Sequence, residues 1–141
     1  IISGKDYQEE YKKVKIPGNV KEVPFYPNLI SLMKDANLMV SRGGASTIAE
    51  IEAIGLPTIF VPSPYVTNNH QQKNAQALEE ERAALILSED NFSSKRLLPL
   101  IDSLLTDKKS FIKMEEALLK RCCKDSATRI YQEAKKLVKD E

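Results

Sequence analysis

Short apolar runs that end in Gly, Pro or polar clusters alternate along this chain with longer segments of helical spacing. That alternation predicts βα units around a parallel sheet, an α/β fold of Rossmann-like type with helices on its faces. Ile1-Ile2 reads as the tail of a strand, Lys5 to Val14 as a helix stopped by Pro17-Gly18, and Val20 to Phe25 as the next strand. Asn28 can cap a helix through Ala36, whose Leu29, Leu32, Met33 and Ala36 share one face at i, i+3, i+4 and i+7. A strand at Leu38 to Val40 leads through Ser41-Arg42-Gly43-Gly44-Ala45-Ser46 into a helix from Thr47 to Ile54, which Gly55 can end in the left-handed conformation. Thr58 to Val61 is the next strand, and Pro62-Ser63-Pro64 forces an extended exit from it. His70 to Glu81 reads as a helix and Ala84 to Leu87 as a strand. From Ser93 onward the pattern is helical, with one stripe at Leu97, Leu98, Ile101, Leu104 and Leu105 and another at Phe111, Met114, Leu118 and Leu119. Pro99 sets either a start or a bend in the first of these helices, and Ala127 to Lys139 forms a charged amphipathic tail.

Composition changes this picture by exclusion. The 141 residues suit one domain, and the 21 basic and 20 acidic side chains nearly cancel, so no net field favours nucleic acid. Apolar runs such as Ile59-Phe60-Val61 are far short of the roughly 20 residues that span a bilayer. The adjacent Cys122-Cys123 pair fits neither an ordinary disulfide nor a tetrahedral metal site, and the single His70 has no second histidine to join. Neither a metal nor a cofactor is expected, and the setting reads as reduced and cytoplasmic. Ile1-Ile2-Ser3-Gly4 resembles the middle of a strand, and the chain reads as a piece of a longer protein.

Chemistry concentrates between Ser41 and Ala75. A helix N-terminus reached from a strand through Gly43-Gly44 is an anion site, because its free N–H groups and positive dipole end point at the loop. Ser46 can cap that helix, while Ser41 and Arg42 add a hydroxyl and a cation at the carboxyl edge of the sheet. From Gly-Gly alone, a plain tight turn is the better explanation. Glu50, four residues after Ser46, can accept the vicinal hydroxyls of a ribose or can be a solvated helix carboxylate. The segment Asn68-Asn69-His70-Gln71-Gln72-Lys73-Asn74 gathers amides that suit the hydroxyls of a sugar, and His70 there is a capping or structural residue more readily than a catalyst.

Three ordered motifs, Ser41 to Glu50, Gly55 to Pro64 and Asn69 to Ala75, together resemble the C-terminal donor half of the MurG family. That family transfers N-acetylglucosamine from its UDP ester to lipid I, giving lipid II for peptidoglycan. The resemblance implies a GT-B enzyme whose donor half spans residues 1–141 and binds UDP-N-acetylglucosamine. Gly44, Ala45 and Ser46 would then meet the diphosphate, Glu50 the ribose, and Gln71 and Gln72 the sugar, with Arg42, His70 and Asn74 beside them. Phe25 and Tyr26 match the loop that contacts uracil. The acceptor half, which would bind lipid I and meet the inner face of the bacterial membrane, would precede Ile1, as would the donor half's first strand, Gly-rich loop and helix. No catalytic residue is expected in this stretch. The lost strand is central in the order 3-2-1-4-5-6, so either Ile1-Ile2 pairs directly with Leu38 to Val40 or a second copy of the chain fills the gap. Diacylglycerol glucosyltransferases and UDP-N-acetylglucosamine 2-epimerases share the fold, and a separate nucleotide-sugar-binding subunit is the reading from another class. A response-regulator-like module would need an acidic cluster where Ser41, Arg42 and Pro62 stand.

Overall fold

A computed structural model describes residues 1–138, and the chain divides into two compact units, Ile1–Leu32 and the remainder from Met33. In the first unit, Ile2 and Val23 form one parallel bridge, closed by Ser3 N–H to the Val23 carbonyl at 3.0 Å and Val23 N–H to the Ile1 carbonyl at 2.9 Å. The strand expected over Val20 to Phe25 is reduced to this bridge. Pro24 has no N–H to extend a ladder. The helix expected over Lys5 to Val14 is a 3₁₀ turn at Lys5–Tyr7 followed by a single α-helical turn, α1 (Gln8–Tyr11). The segment carries few apolar residues to bury, so tertiary packing cannot lengthen it.

Helix α2 (Leu29–Lys34) starts as expected, with the Ser31 N–H donating to Asn28 Oδ1 at 3.1 Å, and stops two residues before Ala36. The second unit is built on a three-stranded parallel sheet in the order β1-β2-β3. Its strands are β1 (Met39–Ser41), β2 (Thr58–Phe60) and β3 (Leu85–Ile86). The register pairs Val40 with Ile59 and Phe60 with Ile86. Strand β1 begins one residue later than expected because its first ladder bond runs from Met39 N–H to the Pro57 carbonyl, at 3.0 Å. Among the described residues of the second unit, β1 has β2 as its one strand neighbour, and within the first unit Ile2 pairs with Val23.

Crossovers α3 (Ala45–Ile54) and α4 (His70–Glu80) connect successive strands. Gly55 ends α3 at φ 75° and ψ 31°, and its N–H reaches the Ile51 carbonyl at 2.8 Å, the left-handed stop that the sequence announces. Helix α5 (Ser94–Thr106) contains Pro99 in its interior, so Pro99 is not its start. Helix α6 (Lys108–Arg121) is capped by Asp107, whose carboxylate accepts from the N–H groups of Lys109 and Ser110 and from the Ser110 hydroxyl. These bonds, that of the Ser110 hydroxyl foremost, hold the Asp107 pKa below its ordinary value. Helix α7 (Ser126–Val138) follows, and the expected end of the tail at Lys139 lies outside the described residues.

Ile59 and Phe60 of β2 are fully buried, as are Ile51 of α3, Leu78 of α4 and Leu118 of α6. Each such side chain contributes about 1.5–3 kcal/mol relative to leaving it in water. Helix α6 packs on α3, and Arg121 at its end fastens the layer. Its Nε donates to Glu52 of α3 at 2.8 Å and its Nη1 to Glu81, just past α4, at 2.5 Å. Glu52 first and Glu81 second raise the Arg121 pKa.

Candidate functional site

The Ser41–Ser46 segment leaves the carboxyl end of β1 and becomes α3 at Ala45. Gly44 is the residue before the first helical turn, at φ −66° and ψ 142°, and no side chain caps the helix. Ser46 therefore lies inside the first turn, two residues past Gly44, which takes the cap position that the sequence assigns to Ser46. The first bond of the helix joins the Ile48 N–H to the Gly44 carbonyl at 2.9 Å, which leaves the preceding N–H groups at the mouth of the turn unpaired within the helix. Ala45 and Ser46 are exposed there.

Gly43 is the hinge of the turn. It sits buried at φ 81°, and a Cβ on it would lie 3.2 Å from the Gln71 carbonyl oxygen, 3.6 Å from the Phe60 ring and 3.8 Å from Ala75 Cβ. Such close packing is open only to glycine. It brings the start of α3 against the first turns of α4, so the glycine loop and the amide-rich segment meet at one edge of the sheet.

Glu50 is half-buried one turn beyond Ser46, and among the described residues its carboxylate accepts no hydrogen bond. The chain enters α4 through Asn68 and Asn69, both left-handed, at φ 56° and 52°. Asparagine tolerates that conformation better than most residues. His70 is exposed, and its Nδ1 lies 2.8 Å from the Thr67 carbonyl oxygen, a contact within the turn. Gln71 is committed on one side, since its Oε1 accepts the Ser63 N–H at 3.0 Å. That bond fixes the Pro62-Ser63-Pro64 exit and leaves the Gln71 amide nitrogen to donate. Gln72 is half-buried, and Asn74 lines the groove between α3 and α4 with Ala45 and Ala49. Tyr26 is a half-buried member of the first unit, where the Lys5 ammonium stands 5.6 Å from the ring centre of the neighbouring Phe25.

Arg42 reaches across the end of β2. Its Nη1 donates to the Val61 carbonyl at 3.3 Å and pairs with Glu89, which follows β3. Val40, Ser41, Val61 and Phe92 complete a cleft of about 180 Å³ around this pair. Sequence reasoning misses Glu89. The signal for it is an acidic residue just past a strand at the same sheet edge as Arg42, which becomes informative only once the strand order is known.

The arrangement offers hydrogen-bond donors and a cation to an anion, and a carboxylate to hydroxyls one turn away. Among the described residues no group of three or more Cys, His, Asp and Glu side chains is placed to hold a metal ion, and no helix is long and apolar enough to cross a membrane.

Comparison with known proteins gives this geometry a family. The chain is 39% identical over 131 residues to the UDP-N-acetylglucosamine--N-acetylmuramyl-(pentapeptide) pyrophosphoryl-undecaprenol N-acetylglucosamine transferase 1 of Bacillus cereus. That match covers 93% of this chain and 36% of the relative. The transferase of the same name, without the number, from Halalkalibacterium halodurans is 47% identical over 98 residues, covering 70% of this chain and 27% of the relative. The chain thus spans about a third of the length of the curated relatives it matches. In fold it is similar to the crystal structure of Acinetobacter baumannii MurG, with a TM-score of 0.79 at 22% identity over 94% of this chain and 41% of that one. It is also similar to the glycosyltransferase VinC, solved in complex with dTDP, with a TM-score of 0.63 at 23% identity over 78% of this chain and 26% of that one. These likenesses establish a Rossmann-like α/β fold of the GT-B kind. The glycosyltransferase family 28 C-terminal domain matches residues 1–134, and the chain belongs to that family.

Proposed function

We propose that residues 1–141 form the donor-binding domain of an N-acetylglucosaminyltransferase that converts lipid I to lipid II at the inner face of the bacterial membrane. The observation that carries this reading is the uncapped start of α3 behind the Gly43-Gly44 turn, with Glu50 one turn further on. Backbone N–H groups of Gly44, Ala45 and Ser46 receive the diphosphate, and Arg42 adds a cation beside them. As the glycosidic bond breaks, charge gathers on the departing UDP, and donors already aimed at it lower the barrier without reorganising. Glu50 accepts from the ribose hydroxyls. Gln71 donates to the sugar through its free amide nitrogen, with Gln72 beside it. Names carried by relatives over more than nine-tenths of the chain support UDP-N-acetylglucosamine over UDP-glucose.

Inverting transfer also needs a base for the acceptor hydroxyl and the closing of a second half over the donor. Lipid I is assigned to that second half, so the 141-residue chain binds UDP without turning over. Calorimetric titration with UDP tests this directly. Saturable binding that Glu50→Ala weakens by about tenfold, the loss of one charge-assisted contact, supports the reading. Binding indifferent to Glu50, or turnover of lipid I by this chain alone, overturns it.

A further inference from the structure

We infer that Glu89 is the positioning residue for Arg42, holding the guanidinium at the diphosphate side of the cleft so that one nitrogen is anchored and the rest of the fork is left for the ligand. The inference rests on the donor-site reading above and assigns a role to a residue outside that reading.

Three strand ends meet at this point. Arg42 follows β1, Val61 follows β2 and Glu89 follows β3, so the Arg42 side chain lies over the end of the central strand and ties both outer ones to it. Both of its protein contacts use the same nitrogen, Nη1. A guanidinium carries five N–H donors in a rigid planar fork, so fixing Nη1 fixes the direction of Nη2 and Nε without consuming them. The Arg42 side chain stays 56% exposed, whereas that of Glu89 is 27% exposed. The acid is the anchor and the cation is the presented group.

Glu89 is poorly explained as a stabilising residue. Its Oε2 is enclosed and has no hydrogen-bond partner among the described residues. A carboxylate oxygen taken out of water without a partner costs stability. The half-exposed ion pair made by its other oxygen returns little. Its negative charge also opposes an anionic ligand at the same edge. Both costs are offset if Glu89 orders a long, flexible arginine before the ligand arrives, because immobilising such a side chain on binding otherwise weakens affinity.

A double-mutant cycle in UDP affinity tests this. Glu89→Ala raises the Kd by about three- to tenfold, the range expected for restoring the rotamer freedom of one side chain. Glu89→Gln keeps an acceptor for Nη1 and removes the opposing charge, so it binds UDP as tightly as the unsubstituted protein or more tightly. In an Arg42→Met background, Glu89→Ala produces no further loss. A structural role for Glu89 predicts instead the same loss in both backgrounds, and that additive result overturns the inference, as does unchanged affinity in Glu89→Ala. Thermal unfolding followed by circular dichroism verifies that each variant is folded. If the unsubstituted protein binds UDP and Glu50→Ala weakens it while the cycle is additive, the positioning role alone fails. If the unsubstituted protein binds no UDP, the donor-site reading fails and takes this one with it.

Discussion

Two adjacent glycines in the turn before α3 separate structural necessity from ligand access. Gly43→Ala forces a Cβ into a left-handed backbone at φ 81°, which costs about 1–2 kcal/mol for a residue other than glycine. The new Cβ lies 3.2 Å from the Gln71 carbonyl oxygen, a backbone atom that can yield only if α4 shifts by a few tenths of an ångström. Crowding of that kind adds about 1 kcal/mol, the low end for overpacking. Alanine also narrows the unfolded ensemble and returns about 0.4–1 kcal/mol. The net loss is about 1–2 kcal/mol. With a urea slope of about 2 kcal/mol per molar, the unfolding midpoint falls by about 0.5–1 M. Gly44 is the internal control. Its φ is ordinary at −66°, and a Cβ there meets nothing within 4 Å. Gly44→Ala should leave the midpoint within error, yet it puts a methyl group at the mouth of the turn and should weaken UDP binding by about tenfold, about 1.4 kcal/mol. Equal destabilisation by the two substitutions, or a Gly43→Ala protein as stable as the parent, would refute the geometric reasoning.

Gly55→Ala is more severe, because its Cβ would lie 2.7 Å from Leu119 Cγ at φ 75°; a loss of about 2–3 kcal/mol is expected by urea unfolding, and a loss below about 1 kcal/mol contradicts it. Arg121→Met should cost about 1–2 kcal/mol, less than a fully buried pair because the Glu81 side chain is 57% exposed. Its coupling to Glu52→Gln in a double-mutant cycle should be non-zero, and additivity would mean that the clamp contributes nothing. For Asp107 the native pKa lies below the ordinary 3.8, so its contribution is complete above that value and is lost as pH falls through the lowered one. Asp107→Asn should therefore lower the melting temperature at pH 7, and the gap to the parent should close under acid conditions. A gap independent of pH would remove the carboxylate from the explanation.

Local signals with a definite stereochemical demand were legible in the sequence. Gly55 needed the left-handed stop and Asn28 a side-chain cap, and both are found as read. The strands around Val40, Ile59 and Leu85 were legible because apolar runs of that length have few alternatives in a βα pattern. Alternation over Val20 to Phe25 predicts more strand than forms, because it takes no account of the missing N–H of Pro24 or of a partner to pair with. Residue type marks Ser46 as a cap, whereas the helix starts one residue before it and Gly44 caps by backbone alone. In the site, Arg42 was legible as a cation at a sheet edge, but its tether was not, because Glu89 lies 47 positions away and reaches it only through the order of the strands.

The clasp between α6 and α3 also bears on how the chain is made. Strands β1, β2 and β3 are neighbours in both sequence and space, so the sheet can assemble while the chain is still emerging. Arg121, however, is 69 residues beyond Glu52. At a synthesis rate of roughly 5–20 residues per second, the face of α3 that α6 covers waits about 3–14 seconds for its cover. During that interval the apolar face of α3 stays open to water beside Glu52, so the sheet forms before its α3 layer is sealed.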